Sequence, residues 1–141
     1  MGLFVKSITD QTWVNQIKSH YASLAAIALA LNSITAKGLG SVEMNEHQVI
    51  HDALYNLPEI YKKLKGLPPP RSQEARLAKK NMETAIKYYI EAAKQSEHFL
   101  KELYRASTAN LAFHRSCFQS FLKDANRSLE EVFVYLYPRI K

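Results

Sequence analysis

The stretch Tyr21–Thr35, YASLAAIALALNSIT, narrows the folds open to this chain more than any other feature. It carries no charge and is apolar almost all the way round a helix. In a chain that stays in water, such a helix is expected to be covered by other helices on most sides. Alanines at 22, 25, 26, 28 and 30 let neighbouring backbones approach closely. The stretch is too short for the roughly 20 apolar residues that cross a bilayer. The residues before it include Asp10 and Trp13, unlike the short basic start of an export signal. No membrane span and a cytoplasmic location are therefore expected.

Around this stretch the apolar residues recur at three- and four-residue steps, which is helical periodicity. Trp13, Ile17, Tyr21, Leu24, Ala28, Leu31 and Ile34 place a first helix over about Gln11–Ala36, ended by Lys37-Gly38. His47, Ile50, Leu54, Leu57, Tyr61 and Leu64 place a second, from Glu43 or Asn45 to Leu64. Pro58 lacks the N–H that would bond the Leu54 carbonyl, so a kink or break is expected there. The run Lys65–Arg71, KGLPPPR, is a stiff connector. Ser72 then caps a third helix with the seam Ala78, Met82, Ala85, Tyr89, Ala92, Ser96, Phe99 and Leu103, fading near Arg105–Thr108. The fourth runs from about Ala109 to Tyr137 on Leu111, His114, Phe118, Leu122, Ala125, Leu129, Val132 and Leu136. Ser128 with Glu131 resembles an internal capping box, which predicts two pieces broken near Asn126.

Four amphipathic helices on short connections predict an all-α, antiparallel, up-down-up-down four-helix bundle, with helix 2 kinked near Pro58. The expected unit is one domain over residues 1–141 with an N-terminal arm, residues 1–9, carrying Leu3, Phe4, Val5 and Ile8. The alternative joins helices 3 and 4 into one rod that pairs with a second chain. Hydrophobic residues at 47% and charged ones at 23% of 141 residues supply a core without disulfides or metal. The single cysteine, Cys117, excludes an intrachain disulfide and suits a reducing compartment.

Three sets of residues can carry function. His47 and His51, one helical turn apart, present two imidazoles on one face, a spacing that can hold a transition metal. In an antiparallel bundle His98 and His114 fall near the same end, making His47, His51 and His114 the candidate ligands. The second set is Lys62, Lys63, Lys65, Arg71, Arg76, Lys79 and Lys80, seven cations around the proline connector with only Glu74 among them. Within a net charge of +6, that cluster is suited to anions or a nucleic-acid backbone, although a solvated loop is the plainer reading. The third is aromatic surface. Eight tyrosines and six phenylalanines exceed what one four-helix core buries, and Tyr88, Phe113 and Tyr135, with Phe4 of the arm, are the expected interface residues.

Catalysis has little support. HExxH, GxSxG, phosphate-loop and dinucleotide motifs are missing from the sequence, and the carboxylates are scattered. Cys117 and His114 stand three apart on an apolar face, where packing is the simpler reading. The expected function is a non-enzymatic interaction module that self-associates or binds a protein partner and needs no cofactor. Anion or nucleic-acid binding is the first alternative and a metal-binding bundle the second.

Overall fold

The computed structural model describes residues 6–37, 44–104 and 110–140. It is an all-α four-helix bundle of α1 (Asp10–Lys37), α2 (Met44–Lys65), α3 (Gln73–Tyr104) and α4 (Leu111–Leu136). Among the described residues there is no strand, only an isolated bridge between Ile8 and Pro70. The arm from residue 1 to 5, including Phe4, lies outside the described residues.

The spine is the α3–α4 pair. Small residues of α3 (Ala75, Ala78, Ala85, Ala92 and Ala93) are buried and let larger side chains of the neighbouring helices seat between them. Phe118, Leu122, Val132 and Leu136 of α4 are buried in the same core, with Met82, Tyr89 and Phe99 of α3. Glu74 bonds Arg139 at one end, Tyr88 stacks on Phe121 in the middle, and the His98 and His114 rings meet at the other end. Those pairings run in opposite order along the two helices, so α3 and α4 point in opposite directions. Truncating Phe118 to alanine costs about 3–5 kcal/mol, the range for a fully buried aromatic that leaves a cavity.

One end of the bundle is tied by polar contacts around the proline connector. Ser72 caps α3 by accepting the Ala75 N–H at 3.0 Å. The Ser72 hydroxyl and N–H in turn donate to the two carboxylate oxygens of Asp10 at the start of α1. These bonds, the hydroxyl's foremost, hold the Asp10 carboxyl below its ordinary value. Ile8 donates its N–H to the Pro69 carbonyl at 2.9 Å, and the Arg76 side chain donates to the Pro70 carbonyl at 2.9 Å. The carbonyls of Pro69 and Pro70 therefore act as acceptors that hold the segment before α1 and the first turns of α3 to the connector.

Three local expectations are changed. First, α1 is not covered on most sides. Trp13, Val14, Ile17, Leu24, Leu31 and Ile34 are buried, yet Ala22, Ala26 and Leu29 are exposed. Second, α4 is unbroken through Asn126, because that side chain is used between helices rather than as a terminus. Third, α2 is unbroken through Pro58, which lies on the exposed side, so of the kink or break expected there the break is excluded.

Candidate functional site

Because α1 makes only a narrow seam with α4, a groove of about 300 Å³ opens between them. Its α1 wall is Tyr21, Ala25, Ala28 and Leu29; its α4 wall is Leu129, Glu130 and Phe133. Asn32, Tyr89 and Asn126 form its polar floor. Helix periodicity explains the walls. Residues 25, 28, 29 and 32 share one flank of α1, and residues 126, 129, 130 and 133 share one flank of α4.

The floor is a closed hydrogen-bond network across three helices. The Tyr89 hydroxyl donates to Asn126 Oδ1 at 2.6 Å. Asn32 Nδ2 donates to the same oxygen at 3.1 Å and to the Ala28 carbonyl at 2.7 Å. Asn126 Nδ2 returns a bond to Asn32 Oδ1 at 2.9 Å. Burial pushes the phenols of Tyr89 and Tyr21 above their ordinary value, so both stay neutral. A floor whose donors and acceptors already serve one another sets the register of α1 on α4 and leaves the apolar walls to receive a side chain.

The walls continue into exposed apolar surface. Leu29 is 71% exposed, Phe133 47% and Tyr137 72%, and the rings of Phe133 and Tyr137 lie 5.4 Å apart. Single exposed apolar residues are ordinary, but three beside one groove make a patch. Leu29 was hidden inside the apolar stretch of the first helix, where every position looks buried. Phe133 and Tyr137 each sit one residue beyond a seam position, Val132 and Leu136; their one-turn spacing was the available signal.

The interface residues expected from sequence fare differently. Tyr135 is corrected to a core residue: it is 6% exposed, its ring edge meets Trp13 at 6.0 Å, and Arg139 covers it at 4.1 Å. Tyr88 is half-buried and stacked on Phe121 at 6.2 Å. Phe113 is 61% exposed, with its ring edge against His114.

The histidines divide into two pairs on different flanks of α3. His47 and His51 line a groove of about 200 Å³ with Ile50, Glu97, Leu100 and Lys101. His114 belongs to the α4 side, with Nδ1 2.8 Å from Gln95 Oε1 and its ring 5.5 Å from that of His98. Among the described residues no three His, Cys, Asp or Glu side chains are placed to share a metal ion. The expected convergence of His47, His51 and His114 is thus replaced by a separation imposed by the width of α3.

The basic cluster is partly neutralised by a residue just beyond it. Glu83 takes Lys79 at 3.0 Å and Lys65 at 3.4 Å, and its charge is the main reason the Lys65 ammonium is held above its ordinary value. Arg76 donates its Nε–H to the Pro70 carbonyl yet remains exposed, as do Lys62, Lys63, Arg71 and Lys80. Counting acids only as far as Lys80 missed Glu83, one helical turn from Lys79.

Comparison of the chain with protein-family models, with curated proteins and with solved structures found no match.

Proposed function

We propose that this protein is a non-enzymatic helical interaction module that pairs with a second copy of itself through the α1–α4 face. The observation that carries the reading is the groove between Leu29 and Phe133, flanked by apolar side chains that the bundle leaves uncovered. Groove and ridge lie on one face, as a two-fold interface requires, since each copy then offers a knob to the other copy's hole. Leu29, Phe133 and Tyr137 expose on the order of 400 Å² together, about half of the roughly 800 Å² each partner of a stable complex buries.

Charge supports a second copy as the occupant. Residues 62–101 hold ten Lys or Arg against four Glu, an excess equal to the net +6 of the whole chain. The remainder of the sequence is balanced at nine against nine. Copies meeting through α1 and α4 therefore bring together surfaces without a net excess and keep the basic residues away from the contact.

Sedimentation equilibrium tests this. The wild type is expected to approach twice its 16.1 kDa chain mass as concentration rises through the micromolar range. Leu29→Glu and Phe133→Glu should each sediment as monomers with unchanged helical circular dichroism. A wild type that stays monomeric at 100-fold higher concentration overturns the reading.

A further inference from the structure

The charge excess of residues 62–101 has a geometry that the connector cluster alone does not reveal. Arg76, Lys80, Lys87, Lys94 and Lys101 are all exposed on α3, at steps of four and then seven residues. Seven residues are nearly two helical turns, so consecutive cations stand about 10.5 Å apart and drift by only about 20°. The five side chains keep within a sector of roughly 60° along about 38 Å of helix. Lys62 and Lys63 of α2 are exposed at the connector end of the stripe. Nearby carboxylates do little to cancel it. Glu83 is occupied by Lys65 and Lys79, while Glu91 and the half-buried Glu97 reach Lys94 and Lys101 only at 3.5 Å, with both lysine side chains exposed. Such exposed pairs are weak and open to exchange.

We propose that this stripe binds the phosphate backbone of a nucleic-acid duplex. Its length matches about one turn of a double helix, roughly 34 Å. Its chemistry is lysine-rich, a row of cations along one helix, which suits contacts that position without specifying sequence. An anionic membrane is the competing polyanion, and the distribution of apolar residues argues against it. Among the described residues, six of the eight exposed large apolar side chains, Leu29, Phe133 and Tyr137 among them, are on α1, α4 and its end, against Tyr55 of α2 and Leu77 of α3. Since α1 packs on α2, α2 on α3 and α3 on α4, the α4–α1 groove lies across the bundle from the α2–α3 side. The proposal is independent of self-association, because it uses a different face.

The test is fluorescence anisotropy with 20-base-pair DNA and RNA duplexes of mixed sequence at 50 and 200 mM salt. Parallel co-sedimentation uses vesicles containing phosphatidylserine. Binding of either duplex is expected to weaken by about 100-fold or more between the two salts, the response to releasing four or so counterions. The triple variant Lys80→Glu/Lys87→Glu/Lys94→Glu should bind at least 10-fold more weakly and show a shallower salt slope. Lys18→Glu/Arg115→Glu/Lys123→Glu has the same net charge and should lose less than threefold. Circular dichroism of both variants confirms the fold, and Lys→Gln versions of each set serve if charge reversal unfolds either. Absence of duplex binding, equal losses in the two triples, or vesicle binding without duplex binding would each overturn the proposal. Preference for RNA or for DNA identifies the duplex and leaves the proposal standing.

Discussion

Replacing Asn126 by alanine probes the one polar device that joins three helices. The substitution removes the acceptor of the Tyr89 hydroxyl and both bonds to Asn32. Three such bonds contribute about 1 kcal/mol each in net terms. The partners left behind do not fare alike. Asn32 is half-buried at the groove and can turn to water, whereas Tyr89 is fully buried and its hydroxyl is stranded. A stranded buried hydroxyl costs about 1–3 kcal/mol, part of which is already counted in the lost bond. The expected loss is therefore about 3 kcal/mol. With a urea dependence of about 2 kcal/mol per molar for a chain of this size, the midpoint falls by about 1.5 M at unchanged slope. Asn32→Ala and the double variant complete a cycle. Because two bonds are shared, the two losses should overlap by about 1–2 kcal/mol. A loss below about 1 kcal/mol, or strict additivity, would refute the idea that this network fixes α1 on α4.

Three further outcomes follow from the same structure. Tyr135→Phe should be neutral or slightly stabilising in thermal melts, since the buried Tyr135 hydroxyl has no hydrogen-bond partner among the described residues, whereas Tyr135→Glu should unfold the bundle. The buried phenols make stability sensitive to alkali. With folded values raised above 10.0, their contribution is complete below about pH 10 and is lost as pH climbs from there through the folded values, so Tyr89→Phe should flatten the alkaline decline of a urea midpoint series. Asp10 works in the opposite direction. Its depressed carboxyl favours the fold above the ordinary value of 3.8 and loses that effect as pH falls through the folded value, so the wild type should exceed Asp10→Asn by about 1 kcal/mol at pH 7 and match it in acid.

Periodicity made the helices legible because a 3.6-residue repeat of apolar side chains has one structural solution in water. Ser72 as a cap and the stop at Gly66 were equally local, depending on backbone groups one turn away. What depended on neighbours was not legible. Asn126 resembles a helix break in one dimension and is an acceptor for Tyr89 and Asn32 in three. Tyr135 follows Val134, which is exposed, and nothing in their order says which of the two meets Trp13. The histidines share an end of the bundle, as helix lengths suggested, but the flank each occupies depends on the rotation of α2 and α4 about α3. The apolar stretch of the first helix misled most. Apolar content all round a helix was read as cover on most sides within one chain, and Leu29 instead faces outward into the proposed contact with a second chain.

The most direct measurement is the distance between equivalent positions of two copies, read by pulsed electron resonance in a Cys117→Ser background. A nitroxide replacing Arg127, exposed on α4, is expected to find its counterpart within about 25–30 Å, the span of facing helices of 10–12 Å diameter. A nitroxide replacing Lys94, on the outside of α3, should see its counterpart beyond about 40 Å, across two bundles. The reverse order, or no intermolecular distance from position 127, would contradict pairing through α1 and α4.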